Sequence, residues 1–352
     1  MAAMRTTLAT LLGLLVSSAL GAWPAAAQTL INGAGATFPY PIYSKWFDEY
    51  TKIDPEVRFN YQSIGSGGGI KQISAQTVDF GASDGPMTDE QLKQAPAELF
   101  RIPAVLGAVV ATYNLPGNPT LKFTPDVLAD IFLGKITKWN DPRITALNPG
   151  QSLPAEAIAV VHRSDGSGTT YIWVDYLSKV SHEWQQQVGR GTSVRWPVGL
   201  GGKGNEGVSG QVKNTPGALG YVELAYAVQN NLPRALVKNA AGTFVEPTIK
   251  STTAAAAGAA ATMPEDFRVS ITNAPGDSAY PIASFTWLLV YKDLSDEVKG
   301  RALVKFLAWM AHDGQKYTSD LLYAPLPPQV VKQIDVKIHQ ITIKGKPVLA
   351  GR

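Results

Sequence analysis

Three short runs of glycine and hydroxyl residues, each placed where an extended segment gives way to a helical pattern, limit the folds open to this chain. The first is Asn32-Gly33-Ala34-Gly35-Ala36-Thr37-Phe38-Pro39, after which Ile42, Trp46 and Tyr50 recur every fourth residue, as does the pair Tyr43 and Phe47. The second is Gly65-Ser66-Gly67-Gly68-Gly69, leading into Ile70 and Ile73. The third is Arg163-Ser164-Asp165-Gly166-Ser167-Gly168-Thr169-Thr170, leading into Ile172, Trp173, Tyr176, Leu177 and Val180. Apolar residues at this spacing predict amphipathic helices with one buried face. A chain that repeatedly turns from strand to helix through glycine builds α/β layers, with helices covering sheets.

Other segments fit the same scheme. Val57–Tyr61, Gly107–Tyr113 and Ala157–Val161 have strand character. Thr124 is placed to cap a helix with Pro125 at its first position, Asp126 in its first turn and Gly134 at its end. Leu128, Ile131 and Phe132 would be its buried stripe. Ser295 is placed to cap another, with Val298, Ala302, Phe306 and Met310 on one face and Gly314 ending it. The stretch Ser251–Thr262 is helical in composition, though Gly258 weakens it. From Ile334 to Arg352 apolar and polar residues alternate around Gly345, and no internal repeat is visible.

The chemistry lies in the glycine turns. A helix start leaves several backbone N–H groups unpaired, pointing along the axis with partial positive charge. An oxyanion satisfies them, and glycine lets the backbone come close to it. Serine and threonine hydroxyls add donors, and Arg163 adds a planar charge suited to a tetrahedral oxyanion. The plainer alternative is that each turn merely caps its helix. Asp84, closing Asp79-Phe80-Gly81-Ala82-Ser83-Asp84, can be an ordinary turn acid. Beside an anion site its carboxylate would repel a fully ionised ligand but accept a hydrogen bond from a protonated one. Phosphate carries such a proton near neutral pH and sulfate does not, so the acid would select by repulsion.

Several classes are disfavoured. At 352 residues, the length suits two domains. The chain has no cysteine, which rules out disulfides and a lipid anchor on cysteine. Arg5, the apolar run Leu8 to Leu20 and Ala25-Ala26-Ala27 form a secretory signal pattern, with cleavage expected near Ala27–Gln28. Loss of Arg5 lowers the formal charge from +3 to +2, too balanced to draw the chain to nucleic acid in bulk. Gly199-Leu200-Gly201-Gly202-Lys203-Gly204 matches a dinucleotide-loop spacing with Glu223 about 20 residues on, but no opening βαβ unit surrounds it. Lys203 is followed by glycine, so a Walker loop fails, and Ser167 lacks the spacing of a nucleophile elbow. His162, His182, His312 and His339 are scattered without metal-ligand spacing. No catalytic residue, metal or cofactor is expected.

The same stretches carry a family resemblance. GAGATFPYPIYSKWFDEY, YQSIGSGGGIKQI, DFGASDGPMTDEQL, LGKITKWNDP, AVVHRSDGSGTTYIW, WPVGLGGKGNEGV and GALGYVELAYA resemble, in order, the periplasmic phosphate-binding proteins of ABC phosphate importers, the PstS type. The likeness is dense from Gly33 to Ala227 and sparser through WLLVYKD, KFLAW and LLYAPLPPQVV. It implies an α/β, two-lobed periplasmic-binding-protein (type II) fold with a hinge between the lobes. The implied division is a signal peptide at 1–27, lobe I at 28–104 and 283–352, and lobe II at 105–282, with crossings near Ile102–Gly107 and Pro281–Ser284.

Carried over position by position, the family's phosphate ligands fall on Thr37, Phe38 (through its backbone N–H), Ser66, Asp84, Arg163, Ser167, Gly168 and Thr169. Asp165 matches the acid that orients the arginine. Gly67 stands where a second serine is common, Gly85 where alanine is frequent, and His162 precedes the arginine; none of these removes a ligand. The resemblance further implies a periplasmic monomer that binds inorganic phosphate by hinge closure and hands it to permease subunits of an ABC transporter. It implies no covalent chemistry and no nucleic-acid partner. The alternatives are the same scaffold holding arsenate or sulfate, or a phosphoester hydrolase.

Overall fold

Residues 28–349 are described in the computed structural model, so the signal-peptide expectation over 1–27 lies outside the described residues. One eight-stranded sheet organises the chain. Its strands are β1 (Thr29–Gly35), β2 (Val57–Ser63), β3 (Phe80–Ser83), β4 (Leu99–Tyr113), β5 (Ala159–Arg163), β6 (Leu200–Gly202), β7 (Ala218–Glu223) and β8 (Ala283–Tyr291). Their spatial order is β2-β1-β3-β8-β4-β7-β5-β6.

The strand β4 belongs to both ends of this sheet. Leu99 to Ala108 pair antiparallel with β8, and Val109 to Tyr113 pair antiparallel with β7. Every residue of β4 and β8 is buried, which explains their near-continuous apolar sequences. Pro103 cannot donate to a ladder, and there the register with β8 slips at a bulge opposite Thr286 and Trp287. The fold therefore has two lobes sharing a strand: β2-β1-β3-β8 on one side of β4, and β7-β5-β6 on the other.

In each lobe, parallel strands feed helices through glycine turns. In the first lobe β1 leads to α1 (Tyr40–Ile53) and β2 to α2 (Ser66–Ser74). In the second, β5 leads to α3 (Gly168–Val180) and β6 to α4 (Gly204–Asn214). Ile42, Tyr43, Trp46 and Tyr50 are the buried face of α1, as their spacing predicts, while Phe47 stacks on Phe59 at 4.6 Å. Helices α5 (Glu297–Ala311) and α6 (Pro328–His339) complete the first lobe. Ligand sites in such sheets lie outside the carboxyl ends of parallel strands, where all four of these turns are.

Several local expectations shift. Asp296, not Ser295, caps α5, its carboxylate accepting the Lys299 amide at 3.0 Å. A carboxylate one residue further on is the stronger acceptor for an exposed helix start. Ala302, Phe306 and Met310 are buried as expected, but Val298 is 64% exposed because it lies in the first turn of the helix, beyond the packed stripe. Gly314 does not end α5; it is buried in a 3-10 turn, where its carbonyl accepts the Trp46 indole N–H at 2.7 Å. The helix Pro125–Phe132 stops two residues before Gly134, and Thr124 makes no side-chain cap bond. The alanine-rich stretch is the helix Ile249–Ala261, held at its start by a capping box of Thr248 and Ser251. After α6 the tail forms a small hairpin, Thr342–Ile343 with Lys346–Pro347, turning through Gly345 at φ +76° and adding to Asp293–Leu294.

Candidate functional site

The four helix starts meet across the gap between the lobes. In the first lobe Thr37 and Phe38 lead into α1, Ser66 opens α2, and Asp84 follows β3; all four residues are buried. Gly65 takes φ +88°, a conformation only glycine adopts readily, and a methyl there would collide with the Asp165 carboxylate from the other lobe. The Asp84 amide donates to Ser66 Oγ at 3.2 Å, and Thr286 Oγ1 donates to Asp84 Oδ1 at 2.7 Å. Asp84 Oδ2 has no hydrogen-bond partner among the described residues. Burial pushes this carboxyl up from its ordinary 3.8 to about 7, although Thr286, Arg163 and Ser66 pull the other way.

The second lobe answers with a cation. Arg163 ends β5 and is only 3% exposed. Asp165, two residues on, accepts its Nε at 2.8 Å and its Nη2 at 2.5 Å, a fork-on-fork pair that fixes the guanidinium plane. Asp165 Oδ1 also accepts the Gly204 amide at the start of α4, at 3.0 Å. Burial pushes Asp165 up, but the Arg163 bonds and charge and the Gly204 amide outweigh it and hold the carboxyl below its usual range. Arg163 Nη1 reaches Thr169 Oγ1 at 3.4 Å. Ser167 caps α3, its Oγ accepting the Thr170 amide at 3.0 Å, which leaves the hydroxyl proton free to donate.

Contacts between the lobes leave little room. The Gly67 amide donates to the Gly166 carbonyl at 2.9 Å, and a methyl on Gly67 would lie 3.1 Å from Gly166 Cα. Glycine in place of the more common serine thus permits a close backbone crossing. A methyl on Gly168 would collide with Ser66 Oγ and Asp84 Oδ2, so the start of α3 sits directly against the two polar groups of the first lobe. Thr37 reaches over to Asn205 of α4, which in turn touches Thr169. The structure therefore gathers Thr37, Phe38, Ser66, Asp84, Arg163, Asp165, Ser167, Gly168 and Thr169 in one place.

Plain capping accounts for only part of this. Among the described residues, α1, α2 and α4 have no side-chain cap at their starts, whereas α3 has Ser167. The Gly67 amide of α2 is met by the Gly166 carbonyl, and the Gly204 and Asn205 amides of α4 by Asp165 and Thr37, so these starts are closed by residues around the cleft while their helix dipoles face it. An acceptor-rich anion is the partner such a cleft suits.

The residues that sequence reasoning missed are instructive. Gly199–Gly204, given no ligand role by the sequence, forms β6 and a fourth helix start, with Gly204 at φ +72° and Asn205 wholly buried. Tyr226 donates to the Thr37 carbonyl at 2.6 Å, and Tyr323 to the Phe38 carbonyl at 2.6 Å. Glu223 lies where β7 meets β4, and burial pushes its carboxyl well above the usual range. Thr286, the partner of Asp84, is inside an all-buried strand. His162 stacks on Trp196 at 4.7 Å, and burial lowers its pKa. No group of three or more His, Cys, Asp or Glu that could hold a metal occurs among the described residues, and none of their helices is long and apolar enough to cross a membrane.

A cleft lined with donors between two α/β lobes is the form of a solute-binding protein. The family described as the PBP superfamily domain matches residues 22–313. The phosphate-binding protein PstS of Xylella fastidiosa (strain 9a5c) is 50% identical over 319 residues, covering 89% of this chain and 86% of that protein. The phosphate-binding protein PstS of Pasteurella multocida is 50% identical over 313 residues, covering 88% and 90%. The chain therefore belongs to the PBP superfamily and, within it, to the PstS family. Among solved structures, a phosphate-binding protein from Stenotrophomonas maltophilia superposes with a TM-score of 0.66 over 88% of this chain and 93% of that one, at 19% identity. At that identity the likeness speaks for the fold alone.

Proposed function

We propose that this chain binds inorganic phosphate between its lobes in the periplasm and delivers it to the permease subunits of an ABC importer, acting as a monomer and without covalent chemistry. The observation that carries the reading is Asp84 Oδ2: a buried acceptor with no partner, set among helix starts and hydroxyls and opposite Arg163. With Asp84 ionised, a ligand rich in acceptors that also brings a proton of its own satisfies such a set, and phosphate near neutral pH does both.

In this reading the amides and hydroxyls of Thr37, Phe38, Ser66, Ser167, Gly168 and Thr169, with the Arg163 guanidinium, hold the phosphate oxygens. Asp165 orients Arg163, and Asp84 takes the ligand's proton as a hydrogen bond. Lobe I comprises residues 28–104 and 283–352 and lobe II 105–282, with hinging at the crossings between them. Phosphate meets one lobe first, and closure brings the other lobe's donors onto it. Exclusion of water then strengthens each charge-assisted bond. The PstS names of the relatives support this ligand, as they are called phosphate-binding proteins.

The test is calorimetric titration of the mature, phosphate-stripped protein with phosphate, alone and in excess sulfate. One-to-one binding that survives sulfate is the expected result. Binding abolished by sulfate would keep the anion site and replace the ligand; no binding of either anion would reduce the four helix starts to packing.

A further inference from the structure

We propose that Asn205 is a positioning residue that sets the hydrogen-bond polarity of the cleft, turning the hydroxyls of Thr37 and Thr169 into obligate donors. This rests on the phosphate-binding reading and extends it to a residue that makes no claim on the anion itself.

The side chain is fully committed. Its Nδ2 donates to Thr37 Oγ1 at 2.7 Å and to Thr169 Oγ1 at 3.1 Å, which uses both amide hydrogens. Its Oδ1 accepts the Glu223 amide at 2.9 Å, and this backbone donor fixes which end of the amide is oxygen. The Asn205 backbone N–H donates to Thr37 Oγ1 as well, at 3.2 Å. The residue is wholly buried, so water does not compete for any of these bonds.

The consequence falls on the two threonines. Thr37 Oγ1 accepts two hydrogen bonds from Asn205, which occupies both of its lone pairs. Thr169 Oγ1 accepts one from Asn205 and one from Arg163 Nη1. Each hydroxyl is left with only its proton to offer. A threonine free to rotate could present a lone pair to an incoming anion and repel it; these two cannot. Thr37 and Asn205 come from opposite lobes, so the Thr37 hydroxyl is locked as a donor only when the lobes meet. For Thr37, closure and donor orientation thus become one event, whereas Thr169 is oriented within the second lobe.

A double-mutant cycle separates this from a merely structural latch. Phosphate affinity is measured by calorimetry for the full mature chain, for Asn205→Ala, for Thr37→Val/Thr169→Val and for the triple variant, with thermal unfolding as a check on folding. Asn205→Ala is expected to weaken phosphate about tenfold to a hundredfold in the otherwise unchanged protein, in line with two hydroxyl donors losing their orientation. In the double-valine background, where no hydroxyls remain to orient, the same substitution should cost less than about threefold. Equal losses in both backgrounds would overturn the proposal and leave Asn205 as a latch. Should Asn205→Ala not fold, Asn205→Asp keeps the acceptor for the Glu223 amide and replaces two donors with an acceptor. A folded Asn205→Asp variant that binds phosphate within about threefold of the parent at about pH 8 would overturn the proposal, whereas a loss of about a hundredfold or more agrees with it. Absence of phosphate binding by the parent chain would sink the underlying reading, and a parent that binds tightly beside an unaffected Asn205→Ala would sink this inference alone.

Discussion

The first lobe brings to the cleft two helix starts without side-chain caps and one carboxylate, whereas the second brings a capped helix start, an uncapped one and a guanidinium already paired with its own acid. Neither lobe offers an unbalanced positive charge. Arg163 is matched by Asp165 two residues away, and Asp84 stands opposite with one oxygen unpartnered. In the proposed reading the anion is held by oriented N–H and O–H dipoles together with Arg163, which agrees with a chain whose formal charge is only +3. In the proposed reading the lobes differ in their charged groups: the second supplies the cation that attracts the anion, and the first the acid that discriminates.

Removing the attraction should have the largest effect. Arg163→Ala deletes a buried cation of the cleft and also leaves the largely buried Asp165 carboxylate without its partner. Truncating one partner of a buried charged pair costs roughly 2–5 kcal/mol, so phosphate affinity should fall by about thirtyfold to a few thousandfold. Sulfate should weaken by the same factor, since Arg163 does not sense the ligand's proton. Titrations of both anions against this variant check the point; full phosphate affinity would remove Arg163 from the site.

The discriminating side should show itself even without ligand. Asp84 ordinarily ionises near 3.8, but burial holds its proton to about pH 7 in the empty folded protein. Between those values the native state binds more protons than the unfolded one. Stability should therefore be greatest below about pH 4 in respect of this group, and decline as pH rises towards 7. The shift sets roughly 4 kcal/mol as an upper bound on that decline. Glu223, also raised by burial, slopes in the same direction. Denaturant unfolding of phosphate-free protein from about pH 5 to 8 should show the decline, and Asp84→Asn should flatten it; identical slopes would mean that Asp84 is ionised in the empty cleft.

The same asymmetry governs how much of the molecule can be read from its sequence. The βα turns are legible because glycine and hydroxyl residues answer local demands: a positive φ at Gly65, a close crossing at Gly67. Asp84 and Arg163 stand out because they border such turns. The partners that tune them do not. Thr286 lies 202 residues from Asp84 in a strand where every residue is buried, and nothing local marks it off from its apolar neighbours. Asn205 is hidden inside a glycine pattern whose spacing also suits a nucleotide loop, and only the meeting of the lobes reveals its use. β4 is underestimated because a strand buried on both faces shows no alternation, and Pro103 argues against it. Spacing alone does not bring Gly65, Asp84, Gly168 and Gly204 to one point; the resemblance implies a shared site for Asp84 and Gly168, and the fold adds Gly65 and Gly204 beside Asp165.

The smallest expected effect is the most specific. Asp84→Asn keeps the size and the Thr286 contact but puts an amide where the carboxylate stands, so the group facing Gly168 can either accept or donate. Phosphate loses a strong, charge-assisted acceptor for its proton and should bind somewhat less tightly. Sulfate, which meets an unpartnered carboxylate oxygen in the parent protein, meets an N–H donor in the variant and should bind more tightly. A buried polar mismatch costs about 1–3 kcal/mol, so the ratio of phosphate to sulfate affinity should shrink by about fivefold to about 150-fold. The ratio matters more than either affinity, because general damage to the cleft would lower both together. A ratio unchanged by Asp84→Asn would move the discrimination away from the first lobe and dissolve the division of labour between the two.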